Sequence, residues 1–306
     1  MRPPALVLFN PAAHGAQGTD RLERVRPAID AVCRPTVCTL EHGSDWEGAI
    51  AAALEEGTRF FIAAGGDGTV NALVNGLERA RGDVPFEAIL LGAVGLGSSN
   101  DFHKPARREV EGIPVRLDAG AAVPRDLIAC RWDGGQALGV VSASIGVTAS
   151  ANAFFNRGDP VVEALKKRFT GAAIAWAAAR TVVRFRGVWG RVDLPGVGAE
   201  EVRLNNLSVL QTEWLSGSLR FDTPVDPGDG HLQVNLLEGR TRLGTLWVLL
   251  QLVRGRFAGL RGTHCQRVRS VGIELTEPAE LELDGELHRA RSIHFTVHSE
   301  RISTCP

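Results

Sequence analysis

The stretch FFIAAGGDGTVNAL, from Phe60 to Leu73, decides how the first part of the chain folds. It starts as an apolar run of strand-forming residues, breaks into three glycines around Asp67, and continues with residues that favour a helix. A strand, a glycine turn and a helix in this order direct backbone N–H groups and a helix N-terminus at one spot, which attracts phosphate. The glycines fit this interpretation because a Cβ atom would block the close approach of a ligand.

Asp67 needs an explanation of its own, because a bare carboxylate repels phosphate. The position becomes favourable if a divalent cation lies between the two groups, and Mg²⁺ prefers carboxylate and phosphate oxygens. The turn therefore predicts a nucleoside triphosphate bound with magnesium. The alternative is a tight turn in which Asp67 only caps the following helix.

The segments around this turn alternate between strand and helix patterns, which indicates a parallel sheet covered by helices on both faces. Ligands of such sheets bind beyond the carboxyl ends of the strands. Three turns leave strand ends here and should share one edge of the sheet. They are NPAAHG (10–15), GGDGT (65–69) and GLGSSND (95–101).

The pattern changes after about Pro114, where short strands with polar interruptions predict an antiparallel, β-rich region. Helical patterns interrupt it at 160–184 and at 242–257. We therefore predict an α/β nucleotide-binding domain over 1–115 and a β-rich, sandwich-like domain over 116–306. The last strand of the second domain is free to return to the first.

The composition of the 306 residues is that of an ordinary globular protein, with 44% hydrophobic and 23% charged residues. A formal net charge of -1 gives no general attraction to nucleic acid, so none is expected as a partner. The five cysteines form no CxxC pair, which favours a reduced, cytoplasmic protein. The longest apolar helix pattern, Leu243 to Val253, is far shorter than the roughly 20 residues that span a bilayer, so any membrane contact is expected to be peripheral.

Other nucleotide-binding motifs fit the sequence less well. The chain has no GxxxxGK[ST] motif and neither HRD nor DFG, which disfavours P-loop enzymes and protein kinases. GLGSSN imitates the dinucleotide motif GxGxxG, but Asn100 stands where the third glycine belongs.

Together, NPAAHG, GGDGTVN and GLGSSNDF resemble the three signatures of the diacylglycerol kinase catalytic fold, a superfamily with bacterial lipid kinases, sphingosine kinases and, more distantly, NAD kinases. Three later motifs follow in the family's order, so the resemblance covers nearly the whole chain. They are RLDAG (116–120), PVDPGDGHL (224–232) and ELDGEL (282–287). The resemblance implies a lipid kinase of phospholipid biosynthesis. It would use ATP and Mg in an interdomain cleft to phosphorylate a lipid hydroxyl held by the second domain.

The resemblance also implies which residues bind the nucleotide. They are Asn10, Thr39, Gly65, Gly66, Asp67, Gly68, Thr69, Asn71, Ser98, Asn100 and Asp101. Asp101 is expected to organise magnesium-bound water, or else to cap a helix. Two positions depart from the family pattern P-x-G-T-x-N-D-F. Ser98 keeps the hydroxyl of the threonine, whereas Gly95 replaces the proline and should loosen the turn.

Three acids carry the catalytic prediction. By resemblance, Glu286 accepts the proton of the lipid hydroxyl, Asp118 orients this base or its water, and Asp67 organises the metal and the phosphates. Without the resemblance, the sequence around Glu286 and Asp118 indicates only hairpin-turn residues.

The motif DPGDG, from Asp226 to Gly230, resembles a structural cation site of bacterial members. Asp229 would bind through its side chain, and Asp226 and His231 through their main-chain carbonyls, since hard cations accept carbonyl oxygens. A solvated turn is the alternative.

The expected partner is a lipid substrate at a membrane surface, and both a monomer and a homodimer are compatible with the sequence. Two basic clusters could contact anionic headgroups or simply form a solvated basic face. They are Lys166, Lys167 and Arg168, and Arg254, Arg256 and Arg261. Trp176 and Trp247, with Trp214, could rim a cleft for acyl chains or belong to the core.

Two other functions stay open on the sequence alone. One is a kinase for a soluble acceptor such as NAD, which would need no lipid. The other is a nucleotide-binding regulator without catalysis, which the altered GLGSSND turn and the unusual Ala72 after GGDGTVN allow. Diacylglycerol, a sphingoid base and another hydroxylated lipid all remain open as acceptors.

Overall fold

A computed structural model describes residues 2–157, 159–166, 170–194 and 201–306. The chain divides into two units. The first contains Met1–Leu127, Pro227–Asp229 and His298–Pro306, and the second contains Ile128–Asp226 and Gly230–Val297. The predicted helix at 160–184 includes residues 167–169, which lie outside the described part of the chain.

The strands are numbered in chain order. They are β1 Pro4–Phe9, β2 Arg34–Thr39, β3 Phe60–Gly65, β4 Leu90–Gly95, β5 Glu109–Val110, β6 Ile113–Arg116, β7 Val123–Arg125, β8 Ile128–Trp132, β9 Gly135–Gly139, β10 Ser142–Gly146, β11 Val188–Asp193, β12 Glu201–Leu210, β13 Trp214–Leu215, β14 Leu219–Arg220, β15 Leu232–Glu238, β16 Thr263–Val268, β17 Ser270–Leu283, β18 Glu286–Val297 and β19 Ile302–Thr304.

The helices are numbered in the same way. They are α1 Ala13–Ala16, α2 Gly18–Val32, α3 Trp46–Glu55, α4 Asp67–Ala80, α5 Val147–Asn156, α6 Pro160–Lys166, α7 Thr170–Arg184 and α8 Arg242–Val253, with 3₁₀ turns at Phe86–Ala88, Asp101–His103 and Ala119–Ala121.

The first unit is built on a sheet with the order β2-β1-β3-β4-β19-β7. Strands β1 to β4 and β19 run parallel, and β7 closes one edge antiparallel to β19. Val7 and Ile62 in the centre of the sheet are fully buried and pack with Leu22, Val25 and Ile29 of α2. Continuous apolar runs form these strands because helices cover the sheet, and the predicted parallel α/β domain is confirmed.

The register of the parallel strands aligns their carboxyl ends. Phe9 at the end of β1 pairs with Thr39 of β2 and with Ala64 of β3, and Gly65 of β3 pairs with Gly95 of β4. The three turns that follow β1, β3 and β4 therefore leave the same edge of the sheet.

The second unit is antiparallel, and its main sheet has the order β16-β15-β12-β10-β17-β18-β8-β9. Strand β11 pairs with both β12 and β17. Ile145, Leu207, Leu281 and Phe295 are fully buried in the main core of this unit. The predicted β-rich, sandwich-like second domain is confirmed.

Helix α8 ends earlier than the sequence pattern predicted. It stops at Val253 rather than near Phe257, because Arg254 leaves the helical region at φ −93° and ψ 6°, and Gly255 adopts a φ of 66°. A glycine at positive φ is a common helix terminus. Phe257 instead turns inward and packs with Val248 and Leu252 of α8.

The C-terminal segment is tied to the first unit by Glu300. Its carboxylate accepts hydrogen bonds from Arg81 Nη2 at 2.8 Å and from the Phe86 backbone N–H at 2.9 Å. The Phe86 N–H, followed by Arg81, lowers the pKa of Glu300 below its ordinary 4.5.

We expect Glu300→Gln to lower the free energy of unfolding by about 1–2 kcal/mol at pH 7, because a neutral amide makes weaker bonds to Arg81 and Phe86. A carboxyl whose folded pKa is lowered stabilises the fold above its unfolded pKa and loses this effect as the pH falls through the folded value. The difference from the wild type should therefore shrink below pH 4.5. Urea unfolding at pH 7 and pH 3.5 measures it, with exposed Glu109→Gln as the control. An equal difference at both pH values would contradict the role of the charge.

Candidate active site

The turn after β1 is joined to the turn after β3 by Asn10. Its backbone N–H donates to the Ala64 carbonyl at 2.9 Å, which continues the strand pairing past Phe9. Its side-chain Nδ2 donates to Thr69 Oγ1 at 3.3 Å, and its Oδ1 accepts from the Ala12 N–H at 3.0 Å. Asn10 thus fixes the position of two turns that are 59 residues apart in sequence.

The turn after β3 leads directly into α4. Thr69 Oγ1 would lie 2.1 Å from a Cβ atom on Gly65, so the buried threonine requires glycine at that position. Gly66 is the N-cap of α4 and offers no side-chain cap. Asp67 is the first residue of the helix, so the alternative interpretation of Asp67 as its N-cap is wrong. Helix α4 has 14 residues, and its N-terminus carries the partial positive charge that favours an anion.

The Asp67 side chain reaches the turn after β4. Its Oδ2 accepts from the Asp101 N–H at 3.0 Å, and its Oδ1 accepts from the Phe102 N–H at 2.9 Å. Because charged acceptors form the stronger hydrogen bonds, this carboxylate holds the second and third glycine turns together.

The turn after β4 is shaped by Asn100, which has a left-handed φ of 49°. Its Nδ2 donates to the Gly95 carbonyl at 3.1 Å and to the Gly97 carbonyl at 2.9 Å. A Cβ atom on Gly97 would lie 2.5 Å from the Cα of Gly66, so the two glycine turns approach each other at backbone distance.

The expectation that Gly95 loosens this turn is not met. A Cβ atom on Gly95 would lie 2.7 Å from Pro114 Cγ and 3.1 Å from both Asn100 Cγ and His103 Cδ2. Pro114 therefore occupies the space that a side chain at this position would need. Gly95 therefore lies in a closely packed turn that has no room for a side chain at this position.

Several ionisable side chains lie around the third turn, and two of them form an ion pair. The buried Asp101 carboxylate forms an ion pair with Lys104 Nζ at 2.7 Å. Burial, followed by the nearby Arg116 guanidinium, lowers the pKa of His103 to about 3, so this ring is neutral at physiological pH. Arg21 Nη2 donates to the Gly95 carbonyl at 3.3 Å and brings a cation to the turn. Sequence patterns did not single out Arg21, which is brought here by the packing of α2.

The remaining predicted nucleotide-binding residues differ in accessibility. Ser98 is exposed on the third turn, and Thr39 is partly buried at the end of β2 beside Phe9. Asn71 is buried in α4, where Asn75 Nδ2 donates to its backbone carbonyl at 3.0 Å. Gly68, in the first turn of α4, is partly exposed.

Glu286 lies in the second unit, at the start of β18. The hairpin turn before it consists of Asp284 and Gly285, with φ values of 48° and 95°. Two positive φ angles fit a type I′ turn, for which Asp-Gly is a preferred pair. The Glu286 side chain is exposed, and its charge opposes the lowering of the His288 pKa that burial causes.

Asp284 is a site residue that the sequence interpretation missed. Its buried carboxylate accepts three backbone N–H groups, from Val140 at 2.6 Å, Val141 at 2.9 Å and Ser142 at 2.8 Å. These bonds fix the turn that presents Glu286. The Asp-Gly pair signalled the turn, but the partners of the carboxylate lie more than 140 residues away.

Asp118 lies in the first unit and has a local structural role. It is the N-cap of the 3₁₀ turn Ala119–Ala121, and its Oδ1 accepts from the Gly120 N–H at 3.1 Å. Its side chain is exposed. Its predicted action on Glu286 stays a prediction.

The predicted cation loop contains several carbonyls that already accept hydrogen bonds. The Pro227 carbonyl accepts from the Asp126 N–H at 2.6 Å, and the His231 carbonyl accepts from Gln211 Nε2 at 3.2 Å. Over the described ranges of the chain, no group of three or more His, Cys, Asp or Glu side chains is placed to hold a metal ion. The predicted set uses one side chain and two carbonyls, so the site at Asp226, Asp229 and His231 stays a prediction.

The chain thus combines a parallel α/β unit, whose glycine turns leave one edge of the sheet, with an antiparallel second unit. Residues 4–124 match the family model of the diacylglycerol kinase catalytic domain, and residues 140–303 match that of the YegS C-terminal NAD kinase beta sandwich-like domain. The second match covers more than half of the chain, so the chain belongs to the family that carries this C-terminal domain, and it is a lipid kinase with a diacylglycerol kinase catalytic domain in its first part.

Curated relatives support this assignment over most of the chain. "Probable lipid kinase YegS-like" of Pseudomonas aeruginosa (strain UCBPP-PA14) is 28% identical over 297 residues, which cover 93% of this chain and 89% of the relative. "Acylglycerol kinase, mitochondrial" of Pongo abelii is 33% identical over 133 residues, 40% of this chain and 31% of that protein.

Solved structures from Bacillus anthracis str. Sterne share the fold. One superposes with a TM-score of 0.74 at 18% identity, covering 99% of this chain and 97% of the other. Another, titled a diacylglycerol kinase, has a TM-score of 0.66 at 15% identity and covers 99% and 96% of the two chains.

Proposed function

We propose that the protein transfers the γ-phosphoryl group of ATP, bound with magnesium, to the hydroxyl of a diacylglycerol-like or sphingoid lipid at a membrane surface. The observation that carries this proposal is the Asp67 carboxylate, which joins the second glycine turn to the third through the Asp101 and Phe102 N–H groups. A kinase needs such a fixed edge because phosphoryl transfer depends mainly on positioning and charge stabilisation.

The three turns fit a phosphate group. Gly66 and Gly97 let the second and third turns approach each other at backbone distance, and α4 begins at the residue after Gly66. Arg21 brings a positive charge to the third turn, where the charge of Lys104 is paired with Asp101. A helix N-terminus and a nearby cation suit an anion.

The same edge also fits a hard cation that is bound by carboxylate oxygens of the protein and by oxygens of the phosphates. Magnesium prefers carboxylate and phosphate oxygens and commonly binds through water. Asp67 and Asp101 would hold magnesium here. The metal would supply charge neutralisation on the phosphates. Asp67 would also hold the turns in position.

In the proposed reaction, the oxygen of the lipid hydroxyl attacks the γ-phosphorus while Glu286 accepts the hydroxyl proton. The new oxygen–phosphorus bond forms as the bond from the γ-phosphorus to the β–γ bridging oxygen breaks, leaving ADP. The Asp284 carboxylate keeps the Glu286 turn rigid through its three backbone bonds. Asp118 is proposed to orient the base or its water.

A second cation is proposed at the DPGDG loop, with the Asp229 carboxylate and the carbonyls of Asp226 and His231 as its ligands. Its role would be structural. The support is chemical, since these are the oxygen donors that hard cations prefer.

The experiment uses the full chain, ATP labelled with ¹⁸O at the γ-phosphoryl group, and a total lipid extract, with mass spectrometry of the products. We expect a labelled phosphate on one hydroxylated lipid class, and complete loss of the product when EDTA removes the metal. Parallel reactions contain NAD and other soluble acceptors without lipid. Label on a soluble acceptor alone, or ATP binding without transfer to any lipid, would overturn the proposal.

A further inference from the structure

A surface of exposed apolar side chains lies on two helices of the second unit, α7 and α8, which contact each other. On α8, Leu243, Trp247 and Leu250 are 80%, 46% and 50% exposed. Their spacing of four and then three residues puts them on one stripe of the helix. The opposite side of α8 packs inward through Val248 and Leu252. The exposed stripe is therefore not the side that anchors the helix to the core.

Helix α7 adds two more exposed apolar side chains. Trp176 and Val183 are 41% and 65% exposed, and their separation of seven residues puts them on the same side of α7. Arg242 Nε donates to the Phe185 carbonyl at 3.4 Å, so the N-terminus of α8 lies beside the C-terminus of α7. Leu243, Trp247, Leu250, Trp176 and Val183 are called the α7–α8 surface below.

The sequence of the two helices and of the segment after α8 carries positive charge only, and the carboxylates near this segment are Asp222, which accepts the N–H groups of Phe257 and Ala258, and Glu213, which is paired with Arg220. Helices α7 and α8 contain no Asp or Glu, and the stretch from Gly239 to Ile273 contains seven arginines and no acidic residue. Exposed arginines stand at or just beyond the ends of the two helices. They are Arg184, Arg186, Arg242, Arg254 and Arg256.

An apolar stripe with tryptophans at its centre and arginines at its rim fits the interface of an anionic bilayer. Tryptophan favours the headgroup level, the apolar side chains enter the acyl boundary, and arginine pairs with lipid phosphates. A second copy of the chain fits less well. A two-fold interface would bring the arginine rims together, and the two helices supply no carboxylate to compensate.

We propose that the α7–α8 surface docks the protein on a bilayer that contains anionic phospholipid. This inference rests on the proposed function, because docking brings a lipid kinase to the surface where its acceptor lies. No helix among the described residues is long and apolar enough to cross a bilayer. The proposed contact involves only side chains at the surface of folded helices.

The test is sedimentation of the full chain with vesicles of phosphatidylcholine alone or with phosphatidylglycerol, without nucleotide or acceptor. The triple variant Leu243→Gln/Trp247→Gln/Leu250→Gln should bind phosphatidylglycerol vesicles at least about tenfold more weakly than the wild type. Val123→Gln changes an exposed apolar side chain of the first unit and should bind like the wild type. Circular dichroism and thermal unfolding check that each variant is folded.

A second pair of variants tests the charged rim. Arg254→Gln/Arg256→Gln should weaken binding to phosphatidylglycerol vesicles roughly tenfold at low salt and leave binding to phosphatidylcholine unchanged. The exposed Arg131→Gln is the control and should have no such effect. If neither the triple variant nor the arginine variant bound phosphatidylglycerol vesicles more weakly than the wild type, the proposal would be overturned. So would a wild-type dimer, seen by sedimentation equilibrium, that the triple variant converts to a monomer while vesicle binding persists.

Vesicle binding is measured without turnover, so it separates the two proposals. A chain that binds vesicles through this surface but phosphorylates no lipid would refute the proposed function alone. A chain that phosphorylates a lipid while the triple variant binds vesicles as well as the wild type would refute the docking surface alone.

Discussion

Asp67→Asn should lower the rate of lipid phosphorylation by at least about 100-fold, because one side chain is expected to serve the magnesium–phosphate network and to hold the third turn. Asparagine loses the negative charge and keeps only one acceptor oxygen. Its amide NH₂ would face one of the two N–H groups, of Asp101 or Phe102, that Asp67 now accepts. Initial rates with labelled ATP and a lipid acceptor measure the loss.

The control for this prediction is Asp83→Asn, the same chemical change at an exposed position. It should retain the wild-type rate. Hydrogen exchange adds a readout of the positioning role, since the amides of residues 101 and 102 should exchange faster in Asp67→Asn than in the wild type. An Asp67→Asn protein that is folded and fully active would contradict both roles assigned to the carboxylate.

Glu286→Gln should lower kcat by roughly 10²- to 10⁴-fold, which is the usual contribution of a positioned general base. Glutamine has nearly the same size and stays on the turn that Asp284 holds, so the fold should be unaffected. ATP binding, measured by calorimetry, should also be unaffected, because the change removes the proton acceptor and leaves the phosphate-binding turns intact.

Glu277→Gln provides the matched comparison, because Glu277 is an exposed glutamate of the same unit. Its kcat should equal that of the wild type. If Glu286→Gln retained full kcat, the base would have to be sought elsewhere. If its kcat fell only together with its thermal stability, a structural role for Glu286 would explain the loss.

The sequence predicted the architecture well where the physical signal is local. Short apolar runs alternating with helical patterns indicate a parallel sheet, and the glycine turns mark the ends of its strands. The register then brings Phe9, Ala64 and Gly95 to one edge, as the pattern requires. The β-rich second unit was also recognisable from its short interrupted strands.

The contacts that hold the site together were not predictable in the same way. The bonds from Asp67 to the third turn join residues 34 positions apart, and those of Asp284 join residues more than 140 positions apart. A pattern search assigns a role to an acidic residue from its neighbours in sequence. Here the structural role of each carboxylate depends on backbone N–H groups that only the folded chain brings near.

The packing of single glycines was a further limit. Gly95 was expected to loosen its turn, yet Pro114 fills the space beside it. Gly255 ended α8 four residues before the apolar pattern did, because its positive φ stops the helix. Both outcomes depend on which atoms surround a glycine, and the sequence of the segment alone does not contain that information.

Strand β19 has a consequence for how the protein is made. It lies between β4 and β7, so the sheet that carries the glycine turns is completed by residues 302–304. During translation, the ribosome must synthesise the entire second unit before that sheet can close. Until then the first half of β4, at Leu90 and Leu91, lacks the strand that pairs with it in the folded protein and is open to other nascent chains, while β6 pairs with Ala93 and Val94. Early release of the polypeptide would leave the sheet of the first unit incomplete.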